Sequence, residues 1–102
     1  MRFNEAYVSN ILKGKKIASI RSNVRGLKVD SLIPFTANGR RFAIARINEI
    51  RPVRFRELSE EDAKRDGFET LKELREGLSQ FYKKLEPGSR LFAVRFQIVE
   101  KL

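Results

Sequence analysis

The sequence predicts an α+β domain built around an antiparallel sheet, long and curved enough to roll into a small β-barrel flanked by helices. Three observations carry this expectation. Asn38-Gly39 lies between two apolar runs and is a strong hairpin signal, because both residue types tolerate positive φ. Near the end of the chain, Phe92, Val94, Phe96 and Ile98 alternate with Arg95 and Gln97 at the period of a strand. The stretches that follow Asn4, Leu58 and Glu69 instead repeat their apolar residues at helical spacing.

Taken in order, the first helix runs from Asn4 to Lys13, with Ala6, Tyr7, Ile11 and Leu12 at helical spacing, Asn4 as N-cap and Gly14 as the C-terminal stop. Lys15 to Ser22 has the pattern of a half-buried strand. Arg25 to Asp30 forms a turn into a second strand, Ser31 to Thr36, which the Asn38-Gly39 hairpin joins to a third beginning at Arg40. That third run continues to Arg56, and Pro52 must occupy an edge, bend or bulge because it has no N–H for a ladder. Ser59, followed three residues later by Asp62, resembles a capping box opening a helix that Gly67 ends. A longer helix, Glu69 to Lys84, places Leu71, Leu74, Leu78, Phe81 and Leu85 on one face. Glu86-Pro87-Gly88-Ser89 then turns the chain into the last strand.

A length of 102 residues suits one domain, expected over residues 1–102, and neither repeats nor low-complexity segments interrupt it. The chain has no Cys and no His. Disulfide scaffolds, thiolate or imidazole metal sites and histidine bases are thereby excluded, and neither a metal nor a cofactor is expected. The first residues lack the apolar core of a signal peptide, and no apolar run approaches the roughly 18 residues of a membrane span. A cytoplasmic protein with no membrane partner is expected.

The net charge is +9, and it is unevenly placed. Up to Arg56, thirteen Lys/Arg meet three acids; from Glu57 onward nine bases meet ten acids. A half-domain this basic concentrates anions and points to phosphates, whether of RNA, of a nucleotide or of an anionic surface. The basic residues are dispersed over strands rather than gathered on one amphipathic helix, which disfavours a membrane surface.

The segment Ile11-Leu12-Lys13-Gly14-Lys15-Lys16-Ile17-Ala18-Ser19-Ile20-Arg21 resembles the signature of the ASCH family: a glycine, one residue, a lysine, four residues and an arginine. Lys28-Val29-Asp30 is similar to the family's next segment, with Val29 where a glycine is usual. Arg54 to Ala63, Asp66-Gly67-Phe68 and the helix ending at Phe81-Tyr82 also resemble it, so the likeness covers nearly the whole chain in order. It implies a PUA-like barrel with a cleft between the glycine-lysine turn and the segment around Asp66. PUA-like domains as a group bind RNA, and ASCH members have been proposed to act in RNA processing, translation or transcriptional coactivation. The partner implied is RNA or a nucleoside or nucleotide ligand, held by Gly14, Lys15, Lys16, Ser19, Arg21 and Tyr82.

One branch of the family, the bacterial N-acetylcytidine amidohydrolases, implies an alternative role for the same cleft. Its catalytic trio is the signature lysine, a threonine three residues on and a later glutamate. Lys16 and Ser19 stand at the first two positions and Asp66 at the third, so serine replaces threonine and aspartate replaces glutamate. A lysine whose pKa is lowered by burial or by cations can activate a hydroxyl, and a carboxyl can pass a proton to the leaving amine. On an extended strand, residues three apart face opposite sides, so Lys16 and Ser19 converge only if Lys16 sits on the turn before the strand. Ser19 and Arg21 share a face unconditionally.

Plainer readings compete. Lys16 after a helix-ending glycine reads as a solvent-facing charge at a helix C-terminus, Ser19 as a small polar filler, and Asp66 before Gly67 as a turn residue. Tyr7, Phe68 and Tyr82 offer stacking surfaces, or simply pack in the core.

Overall fold

A computed structural model describes all of residues 1–102. Four strands, β1 (Ala18–Arg21), β2 (Leu32–Ala37), β3 (Arg40–Arg54) and β4 (Arg90–Lys101), form one antiparallel sheet in the order β1-β4-β3-β2. Three helices, α1 (Val8–Leu12), α2 (Glu60–Arg65) and α3 (Leu71–Phe81), accompany it. The α+β class read from the sequence is the class of the fold. The expected roll into a barrel stops short of closure, since no ladder joins the outer strands β1 and β2.

The gap is spanned another way. The Phe3 N–H donates to Thr36 O at 2.8 Å and the Thr36 N–H to Met1 O at 2.9 Å, which seats residues 1–3 beside β2. On the other side, the Arg21 guanidinium at the end of β1 donates to Arg2 O at 2.7 Å. Curvature comes from irregular pairings at Phe35/Thr36, Ile44/Ala45 and Ile47/Glu49, since an extra residue on one strand bends and twists it.

Local signals account for most element ends. Asn38 and Gly39 both have positive φ, 50° and 75°, as a two-residue hairpin turn demands. Pro52 pairs with Phe92 on β4, and β3 has no strand on its other side there because β2 reaches only to Arg46. The sequence assigns one helix to Asn4–Lys13; the structure divides it into a one-turn 3-10 helix, Glu5–Tyr7, capped by Asn4, and then α1. Gly14 (φ 80°) closes α1: its N–H donates to Ile11 O and that of Lys15 to Asn10 O, a Schellman arrangement. The Lys16 N–H also donates to Asn10 O, so Lys15 and Lys16 are bound to the helix end and the strand starts at Ala18 instead of Lys15. Ser59 and Asp62 form the reciprocal capping box on α2.

The sheet separates two apolar clusters. One gathers Phe3, Ile11, Phe35, Ala43, Ala45, Ile47, Val94 and Phe96; the other packs Ile20, Val53, Leu91 and Ala93 against Leu58, Ala63, Leu74 and Leu78 of the α2 and α3 region. β4 therefore buries residues on both faces, Leu91 and Ala93 on one and Val94 and Phe96 on the other, more than its alternation with Arg95 and Gln97 indicates. The largest departure lies at the end of α3. Helical spacing puts Phe81 on the buried face, yet it is 76% exposed. The helix stops at Phe81, and Tyr82 leaves helical backbone (φ −108°, ψ 109°) to pack against the second cluster in its place.

Candidate functional site

β1 begins just after the α1 turn, and its register against β4 (Ser19 opposite Val94, Arg21 opposite Phe92) fixes which side chains share a face. Ser19 and Arg21, two apart, turn the same way, and the Arg21 Nε–H donates to Ser19 Oγ at 2.9 Å. Lys16 precedes the strand, on the turn, which is the placement that allows it to reach the same region as Ser19.

The end of α2 arrives from 50 residues away and is tied down by backbone. Ile17 N–H donates to Arg65 O at 2.8 Å, and the Lys16 amino group donates to Asp66 O at 3.2 Å. Gly67, with φ 91°, lets the chain turn against Lys16: a Cβ there would lie 3.3 Å from Lys16 Cβ. Asp66 is thereby placed with one carboxylate oxygen accepting from Lys16 Nζ and the other from the Ile20 N–H at 3.4 Å.

These residues line one cleft with a volume of about 140 Å³, together with Arg2, Phe3, Asn4, Tyr7, Phe68, Phe81 and Tyr82. Cavities that enclose a whole drug-sized ligand measure roughly 300–1,000 Å³, so this cleft has room for one ring or group of a larger molecule. A wider groove of about 510 Å³ runs along α1 and the end of β4, but of the candidate residues only Gly14 and Lys16 line it. Lys15 is in neither; its amino group lies 3.5 Å from Glu69 on the surface. The structure thus brings Lys16, Ser19, Arg21, Asp66 and Tyr82 together and leaves Gly14 and Lys15 outside, Gly14 serving as the turn that delivers Lys16.

Lys16 is not the solvent-facing lysine of the plainer reading. It is 3% exposed and Asp66 6%. The three N–H donors of its ammonium have three acceptors, Ala18 O, Asp66 O and Asp66 Oδ1, and its charge lies 5.1 Å from the Tyr7 ring centroid. Burial pushes the Lys16 amino group below its ordinary range and the Asp66 carboxyl above its own, while their mutual attraction opposes both shifts. Three satisfied donors favour the charged lysine, and none of them is directed at Ser19.

Arg21 is the cation left over. No acid forms an ion pair with it, and its guanidinium lies over Phe3, 4.8 Å from the ring centroid. Two of its five N–H donors are engaged, by Ser19 Oγ and Arg2 O, which leaves three for something else. Burial lowers its pKa, opposed by Tyr82 and then by the charge of Asp66, which lies near without pairing with it, but an arginine stays protonated at any biological pH. Tyr82 is held in the wall by its hydroxyl, which accepts from the Ser22 N–H at 3.3 Å. Sequence reasoning overlooked Phe3 and Arg2. Their roles depend on contacts with β1 and β2, and nothing near them in the chain marks it.

Fold and cleft together define a small α+β module with a fixed, unpaired arginine in an aromatic-rimmed cleft. The ASCH domain family model matches residues 1–100, and the chain belongs to that family. Three solved structures share the fold. An ASCH domain from Lactobacillus crispatus JV V101 superposes with a TM-score of 0.79 at 20% identity, over 90% of this chain and 69% of that one. Protein EF3133 from Enterococcus faecalis V583 gives 0.81 at 19% identity over 91% of this chain and 66% of its own, so this chain spans slightly under two thirds of that protein. The hypothetical protein PH0355 gives 0.72 at 22% identity, over 97% of this chain and 100% of that one. No curated protein matches the sequence. No helix is long and apolar enough to cross a membrane.

Proposed function

We propose that the domain binds RNA or a nucleotide-like ligand through this cleft and the basic surface of its N-terminal half, in RNA metabolism or translation. The observation that carries the reading is Arg21, a guanidinium held on three sides by Phe3, Ser19 and Arg2, without an acid partner and with donors to spare. Such a group suits an anionic oxygen or a base edge, and fixing it beforehand reduces the entropy lost on binding. The thirteen bases against three acids up to Arg56 supply the long-range attraction.

Binding of a short RNA oligonucleotide is expected to weaken steeply between low and physiological salt, because each neutralised phosphate releases counterions. Fluorescence anisotropy over a salt series measures this. No binding at low salt, or binding indifferent to salt, would remove the proposal.

The second reading, an amidohydrolase acting on an acylated cytidine, is supported by Lys16, Ser19 and Asp66 lining one cleft. Its chemistry needs a lysine free to take the Ser19 proton. In the resting geometry Lys16 is committed to Asp66, and the Ser19 hydroxyl accepts from Arg21 instead. Incubation with N-acetylcytidine is accordingly expected to release no cytidine, by wild type or by Asp66→Glu, which restores the longer carboxylate. Turnover abolished by Lys16→Met in a protein shown to be folded would establish the enzyme.

A further inference from the structure

We infer that Phe81 is a stacking platform for an unpaired nucleobase at the mouth of the cleft, and that the domain consequently selects single-stranded over double-stranded RNA. The inference rests on the nucleic-acid reading above and adds the residue and the strandedness of the ligand.

Phe81 is the most exposed of the large apolar side chains. It is the last residue of α3, 76% exposed, while Leu74 and Leu78 on the same helix are buried. The position it would occupy in the second apolar cluster is taken by Tyr82, whose hydroxyl is fixed by Ser22. Phe81 is displaced to the rim, where it lines the same cleft as Arg21 and Ser19. Its ring meets the Tyr82 ring edge to face, centroids 5.0 Å apart and planes at 73°, a favourable aromatic geometry that supports it from within the wall. A braced, solvent-facing ring lining the same cleft as an unpaired guanidinium joins the two parts that single-strand binders combine, an aromatic face for the base and a cation for the backbone.

The small cleft volume agrees. A space of about 140 Å³ takes a ring and not a duplex, and within a duplex the faces of the bases are covered by their neighbours. A base splayed from a single strand can lie on Phe81 while its phosphate or a carbonyl oxygen reaches Arg21.

The test uses a single-stranded RNA carrying one 2-aminopurine, whose emission falls on stacking, and the same strand annealed to its complement. Wild type is expected to bind the single strand more tightly and quench the probe. Phe81→Ala should weaken single-strand binding roughly tenfold, abolish the quench and leave duplex affinity unchanged; Phe81→Tyr should retain all three wild-type properties. The melting temperature should not move, since the ring is mostly in water. A Phe81→Ala protein with wild-type single-strand affinity, or one weakened equally on duplex, would overturn the inference. If Arg21→Ala weakens salt-dependent binding while Phe81→Ala does not, stacking alone fails; if wild type binds no RNA at low salt, the functional reading fails with it. Self-association lost in Phe81→Ala with RNA affinity untouched would assign the ring to a protein interface instead, and overturn the proposal.

Discussion

Asp66→Ala is expected to destabilise the folded chain by about 3–5 kcal/mol, because it leaves the Lys16 ammonium buried without its counter-charge. Lys16→Met should cost a similar amount from the other side by stranding the carboxylate. The pair replaced together, Lys16→Met with Asp66→Leu, should lose less than either single variant, since the desolvation of two charges is avoided along with their attraction. Urea unfolding of wild type, Lys16→Met, Asp66→Leu and the double variant closes the double-mutant cycle. Single variants within about 0.5 kcal/mol of wild type would show that Lys16 reaches water and that the closed pair is not the resting state.

The pH dependence has a definite sign. A carboxyl raised by burial adds stability that is full below its unfolded pKa and fades as pH rises through the folded one. An amine lowered by burial adds stability that is full above its unfolded pKa and fades as pH falls through the folded one. Both contributions are missing wherever the pair is fully ionised in the folded protein, so the double variant should compare best with wild type there.

Arg21→Ala should weaken RNA binding about 10- to 100-fold, the scale of one or two charge-assisted hydrogen bonds lost from a preformed site. Arg21→Lys is expected to recover little of it. A lysine keeps the charge but not the planar fork that bonds Ser19 and Arg2 at once and lies flat over Phe3. Lys101→Ala, which removes an equal charge from the end of β4 outside the cleft, should lower affinity only slightly. Equal losses for Arg21→Ala and Lys101→Ala in anisotropy titrations at fixed salt would mean that diffuse charge alone binds the ligand.

Much of this was legible in the chain because it is written locally. Asn38-Gly39, the Gly14 stop and the Ser59-Asp62 box each act through neighbours within a few residues, and all three stand as read. That Ser19 and Arg21 share a face follows from their spacing along one strand; that Lys16 and Asp66 join them is implied by family resemblance, for Lys16 on the condition that it sits on the turn before the strand. The burial of Lys16 does not follow, because it depends on a partner 50 residues away, and sequence near a helix-ending glycine gives the same pattern for a lysine in water. Phe81 eluded periodicity for a different reason. Helical spacing says which residues share a face only while the helix lasts, and α3 ends at that ring.

The open seam of the sheet gives Arg21 a second consequence. Its guanidinium fastens residues 1–3 across the gap between β1 and β2 and also supplies the cleft with its unpaired charge. A ligand oxygen taken up by its three free donors would sit on the same guanidinium that bonds the carbonyl of Arg2. Occupancy of the cleft and the clasp on the amino-terminal segment are thus mechanically linked: one side chain is both the latch of the sheet and the hand offered to the ligand.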